Sequence, residues 1–177
     1  KHSGDPVILV SKTGTMPDPS NLQPEFKYFS AEVFTNVYDG VNQIKMPKSL
    51  MILGFSNDKD AAIPVRHDNY IFRREVLRDL LAFLRKPNGD ALFITGPTGS
   101  GKTSVVNEVC ARLNWPVQLL TLNNRFEFSQ LTGHFTYSSQ KEGGAPEMTF
   151  QYGPLAKAMK YGHVLVLNEI DLADAGE

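Results

Sequence analysis

Gly96-Pro97-Thr98-Gly99-Ser100-Gly101-Lys102-Thr103 decides the reading of this chain. The stretch fits Gly-x-x-x-x-Gly-Lys-[Ser/Thr], a pattern in which small residues let consecutive backbone N–H groups turn inward around a phosphate. Lys102 supplies a mobile cation for β and γ phosphates, and the Thr103 hydroxyl suits Mg²⁺. Such a loop needs a strand before it and a helix after it. Ala91 to Thr95 is a short apolar run that periodicity leaves open between a buried strand and a turn of helix; the glycines behind it favour the strand. From about Lys102 to Asn114, the residues Val105, Val106, Val109, Cys110 and Leu113 fall within an arc of about 140° at 100° per residue. The stretch therefore reads as a helix that directs its positive dipole end at the loop. Cys110 lies inside the arc and reads as a core residue. A dinucleotide fingerprint fails, because Ser104 stands where its third glycine belongs.

Working outward, Pro116 ends that helix, Val117 to Leu122 reads as a strand, and Val164 to Leu167 as the last strand. Strand, helix, strand, helix and strand is the alternation of an α/β fold with a parallel sheet and crossover helices. Asn168-Glu169-Ile170-Asp171 follows the last strand. A carboxylate at that place holds a metal's water shell or activates an attacking water. Glu169 is the candidate base. Asn168 stands where an Asp would bind the metal more strongly; its amide accepts a hydrogen bond from metal-bound water but lacks the negative charge. Asp171 reads either as a further partner of that water shell or as a helix N-cap.

Upstream, Phe72, Val76, Leu77, Leu80, Leu81 and Leu84 make one apolar helix face from Phe72 to Lys86, stopped by Pro87-Asn88-Gly89. A seam near Asp60 separates this from residues 1–60. There, prolines alternate with short β-prone runs at Val7–Val10, Phe26–Phe29, Val33–Tyr38 and Leu50–Phe55. The expected organisation is thus an N-terminal region of short strands and loops over 1–60, with no role assigned, and a phosphate-binding core over 61–177.

Composition narrows the function classes. Across 177 residues, 41% are hydrophobic, enough for a globular core. Eighteen basic against 19 acidic residues leave a formal charge of -1, which gives no field to draw nucleic acid or an anionic membrane. No apolar stretch approaches the roughly 18 residues of a membrane helix. A single cysteine rules out an internal disulfide, and no Cys or His spacing suits zinc. A reducing, cytoplasmic setting fits best.

On these residues the chain resembles AAA+ ATPases, and more narrowly the MoxR-like group that includes the cobaltochelatase CobS subunit. The resemblance spans roughly Ile63 to Glu177. Besides the phosphate loop, it rests on Ala111-Arg112-Leu113-Asn114-Trp115-Pro116, on Leu131-Thr132-Gly133 and on Gly153-Pro154-Leu155-Ala156-Lys157-Ala158-Met159. It implies a P-loop NTPase that uses ATP and Mg²⁺, with Gly96, Pro97, Thr98, Gly99, Ser100, Gly101, Lys102 and Thr103 around the nucleotide. Glu169 and Lys102 would be catalytic, Thr103 and Asn168 would face the metal, and Tyr70 and Ile71 would lie at the adenine ring. It further implies a homo-oligomeric ring, usually hexameric, that remodels a protein client, often with a partner carrying a von Willebrand factor A domain. The sensor residue, arginine finger and helical lid of such ATPases would lie after Glu177, so an incomplete AAA+ core is expected. In this group a β-hairpin interrupts the helix before the last strand, and His134–Gln140 with Glu147–Tyr152 have suitable composition. That hairpin reads either as a client contact or as plain surface.

A remodelling ATPase is therefore the leading expectation. A nucleotide-gated binding module with weak or no hydrolysis is the first alternative, and a nucleic-acid translocase the second.

Overall fold

The structure, a computed structural model, describes residues 26–85, 90–138 and 147–172. They fall into two compact units, 26–117 and 118–172. Val7–Val10 lies outside the described residues.

The first unit begins with β1 (Phe26–Ser30), β2 (Val37–Asp39), β3 (Asn42–Ile44) and β4 (Met51–Phe55). β1 and β4 pair antiparallel from Phe26↔Phe55 to Ser30↔Met51, as the aromatic side chains on both and Ile52 on β4 favour. The 33–38 run does not form one strand. Ala31–Val33 is a 3-10 turn capped by the Ser30 hydroxyl, Asn36 takes φ 55, and pairing starts only at Val37. β2 then pairs antiparallel with β3 and parallel with β5 (Phe72–Arg73).

That last pairing shortens the expected helix. Phe72 N–H donates to Asn36 C=O at 2.9 Å, so Phe72 leaves the helix for the sheet, and α1 runs Arg74–Arg85. Its apolar face buries Leu77, Leu80 and Leu81, while Val76 stays more exposed. α2 (Lys102–Arg112) buries Val105, Val109 and Cys110, as the helical arc required.

β1 and β4 close on the C-terminal end of α2. Phe26, Phe55 and Trp115 pack with their rings inclined at 53 to 67° and centroids 5.1 to 6.5 Å apart, and Phe55 N–H donates to Leu113 C=O at 2.9 Å. Gly54 allows this approach, since a Cβ there would collide with the Leu113 carbonyl. Residues 26–55 thus share a core with α1 and α2.

Ala91–Thr95 joins no sheet among the described residues. Phe93 is 73% exposed, and the strand expected before the phosphate loop is not formed. An apolar run supplies the capacity to be buried, but a strand also needs a neighbour for its N–H and C=O groups.

The second unit holds β6 (Val117–Thr121, whose first residue belongs to the other unit), α3 (Phe128–Thr132), β7 (Gly133–Ser138), β8 (Glu147–Tyr152), α4 (Pro154–Tyr161) and β9 (Val164–Asn168). β6 and β9 are neighbours in a two-stranded sheet. The architecture is mixed α/β with small sheets, rather than the single parallel sheet that alternation predicts. β7 and β8 form the expected antiparallel hairpin, in register from Gly133↔Tyr152 to Ser138↔Glu147. Its tip, 139–146, lies outside the described residues.

The hairpin sits between α3 and α4, and its root is tight. Gly153 N–H donates to Thr132 C=O at 3.0 Å, while a Cβ on Gly133 or Gly153 would strike backbone atoms of the opposite side. Pro154 opens α4 and Gly162, at φ 70, ends it.

Candidate functional site

The phosphate loop lies in the first unit. Gly96, Gly99 and Gly101 take φ of 154, 78 and 83, values that a side chain resists. Ser100 N–H donates to Pro97 C=O at 3.2 Å, which closes a turn, and Gly101 leads into α2 as its N-cap. A helix N-terminus with no side-chain cap from Gly101 and no acidic residue in its first turn suits an anion. A Cβ built on Gly99 or Gly101 meets nothing within 4 Å, so the loop borders open space.

Lys102 Nζ donates to Gly96 C=O at 2.9 Å and to Pro97 C=O at 3.0 Å, which keeps its charge over the loop it is meant to serve. These donors fit a polyphosphate. The Thr103 hydroxyl is the oxygen that fits a Mg²⁺ carried on one. Among the described residues no cluster of three His, Cys, Asp or Glu is placed to hold a metal, and a phosphate-borne Mg²⁺ needs none.

The second half of the candidate machinery lies in the other unit. β9 delivers Asn168 and Glu169 at its end, where Asn168 C=O accepts from Leu122 N–H at 2.9 Å. Glu169 is exposed and takes φ 55, the left-handed region, outside a glycine. That conformation costs about 1 to 2 kcal/mol and turns the chain from β9 into the 3-10 turn Ile170–Leu172. Leu172 N–H donates back to Glu169 C=O at 3.0 Å. Asp171 lies inside this turn rather than at a cap.

Tyr70 and Ile71 immediately precede β5. Ile71 is exposed, while Tyr70 is half-buried with its ring edge against Phe72 at 4.8 Å. Burial first, and then the Glu108 carboxylate, push the Tyr70 phenol above its ordinary value of 10.

Sequence reasoning missed a charged cluster beside this segment. Glu108 and Arg112, one turn apart on α2, are both buried and form an ion pair. The Glu108 carboxylate also meets His67 Nδ1 and accepts from His67 N–H at 3.2 Å, while Arg112 Nη2 donates to His67 C=O at 2.9 Å. The guanidinium lies over the Phe72 ring at 4.7 Å. Burial pushes the Glu108 carboxyl up, but its bonds from Arg112 and His67 outweigh that and leave it below the ordinary value. Arg112 Nε is buried with no partner among the described residues, a cost of about 1 to 3 kcal/mol for such a donor. The helical wheel held a hint: Arg112 falls only about 20° outside the apolar arc of α2.

Elsewhere in the second unit, Asn123 is a turn residue, its amide oxygen accepting from Arg125 N–H at 2.8 Å. No helix among the described residues is long and apolar enough to cross a membrane.

The loop geometry agrees with an independent comparison. Residues 91–176 match the AAA domain of the dynein-related subfamily. The match supports a P-loop ATPase of the AAA+ kind, with ATP and Mg²⁺ as the ligands that such domains generally take. Similar proteins include an uncharacterized protein of Staphylococcus saprophyticus, 35% identical over 105 residues that make 59% of this chain and 39% of that protein. Uncharacterized proteins of Staphylococcus haemolyticus and Staphylococcus epidermidis are 34% and 35% identical over 82 residues, 46% of this chain and 31% of theirs. The chain thus spans two fifths or less of the length of these relatives.

Proposed function

We propose that this chain is the nucleotide-binding part of a MoxR-like AAA+ ATPase that hydrolyses ATP to remodel a protein client within a ring oligomer. The observation that carries the reading is the loop 96–103: three glycines at positive φ lead into the uncapped N-terminus of α2 with Lys102 held over them. Its main-chain N–H groups bind the triphosphate, and Lys102 leaves its two carbonyl partners for the β and γ phosphates. Thr103 and Asn168 would hold Mg²⁺, which supplies electrostatic neutralisation of the phosphate oxygens. Glu169 takes the proton of the attacking water, and Tyr70 and Ile71 lie against the adenine. Ring assembly, client and a von Willebrand factor A partner rest on the resemblance alone.

The test is ATP binding and turnover by the protein and two variants. Lys102→Ala abolishes tight binding; Glu169→Gln binds ATP but does not release phosphate. Wild-type turnover by Glu169→Gln removes that residue from the mechanism. A second reading, a nucleotide-gated binding module, is favoured by Asn168, whose amide lacks a charge for the metal. Clear ATP binding with no hydrolysis by the full-length protein selects it.

A further inference from the structure

An exposed turn is held in place from the inside. Residues 66–69 are all exposed, and the His67 side chain is 70% exposed, so no buried apolar side chain within 66–69 anchors this turn. Its main chain is nevertheless bound at successive points. His67 N–H donates to Glu108, His67 C=O accepts from Arg112 and from Tyr70 N–H, and Asp68 C=O accepts from the Asn36 amide at 3.0 Å. Phe72 N–H then enters the sheet at Asn36. Tyr70 and Ile71 are the residues presented between these fixed points.

We propose that the buried Glu108–Arg112 pair positions the Tyr70–Ile71 segment for the nucleobase, by gripping both backbone polar groups of His67. The proposal rests on the nucleotide reading of the preceding section. Two apolar side chains of similar volume would fill the same place on α2 without burying charge, and such replacements are often neutral or stabilising. What they cannot supply is direction: a carboxylate aimed at one N–H and a guanidinium aimed at one C=O of the same residue. The orphaned Nε shows the guanidinium is oriented for His67 and Glu108 rather than for full satisfaction of its own donors. α2 carries the phosphate-binding loop at one end and, about 9 Å along its axis from Lys102, the first of the gripping residues. One rigid helix thereby sets both the phosphate end and the base end of the ligand.

A selectivity measurement tests this, because the base segment touches only ligands that have a base. Binding of ATP and of inorganic tripolyphosphate is measured for wild type, for the doubly apolar variant Glu108→Leu with Arg112→Met, and for Glu108→Gln, which keeps shape should the double variant fail to fold. The expected result is a melting temperature of the double variant at or above wild type, with ATP affinity reduced about tenfold or more, equivalent to about 1.4 kcal/mol, and tripolyphosphate affinity unchanged. Glu108→Gln should show the same selective loss for ATP. Equal losses for both ligands mean that the pair serves only the fold, and no loss for either means that it positions nothing; each overturns the proposal. Wild-type protein that binds neither ligand overturns the nucleotide reading itself, and this inference with it. Wild-type protein that binds both ligands alike shows instead that the base is not read, which overturns only the inference.

Discussion

Glu169 offers a prediction whose sign is set by one backbone angle. At φ 55 it occupies the left-handed region, where a Cβ costs about 1 to 2 kcal/mol and glycine costs nothing. At ordinary positions alanine is more stable than glycine by about 0.5 to 1 kcal/mol, through the entropy of the unfolded chain. Here the strain exceeds that entropy term, and the order inverts. Glu169→Gly and Glu169→Ala remove the same carboxylate, so their difference isolates the angle. The glycine variant should be more stable than the alanine variant by about 1 kcal/mol, or about 2 to 4 °C in melting temperature for a chain of this size. Thermal unfolding followed by circular dichroism, without nucleotide, reads it directly. Both variants should lack ATP turnover, so the glycine protein gains stability while losing function. That combination would mark the strain as kept for presenting the carboxylate. An alanine variant that melts at or above the glycine variant refutes the reasoning, because Glu169 would then not be held in the left-handed region in solution.

Other outcomes follow from single groups. Asn168→Asp restores a charge near the proposed metal, worth about 1 to 3 kcal/mol per unit of ion charge at about 5 Å, and should lower the Mg²⁺ concentration for half-maximal activity at least fivefold, about 1 kcal/mol; an unchanged titration removes Asn168 from the metal site. Burial pushes the Cys110 thiol up to about 12, so at pH 8 only about one part in 10⁴ is thiolate. The folded protein should resist thiol-disulfide reagents until denatured, and rapid labelling of the native state would contradict its placement. Glu108 is held below the ordinary carboxyl value of 4.5 in the folded state, so it favours folding fully above that value and loses the contribution as pH falls through its folded value. Melting temperature should drop on acidification below about pH 4.5, and Glu108→Gln should flatten that limb; parallel profiles for the two proteins exclude the carboxylate as a source of acid sensitivity.

Much of the candidate site is local, and the local part was legible. Residues 96–103 lie together in sequence, and their spacing dictates both the turn and the start of α2, so Lys102 is found over its own loop. The hairpin was equally readable, because alternating β-prone residues flank a Gly-Pro-rich break. Phe72 was misread for a non-local reason: it fits the helical period, but Asn36 supplies a carbonyl that draws it into the sheet. Of the two readings of Asp171, the N-cap fails because the chain already reverses at Glu169, two residues before it, which places Asp171 inside the 3-10 turn.

Periodicity, composition and a short pattern of glycines with one lysine sufficed to establish α2, the glycine turn that leads into it and the presence of a carboxylate just after the last strand. Each depends on forces between residues a few positions apart. Tertiary structure alone decided that Ala91–Thr95 joins no ladder among the described residues, and that two charges on α2 are buried rather than solvated. Strand pairing and the burial of charge both require partners from distant segments; for Glu108 and Arg112 the partner is His67, 41 and 45 residues away. The sequence shows which groups can hydrogen-bond, and packing decides which of them meet.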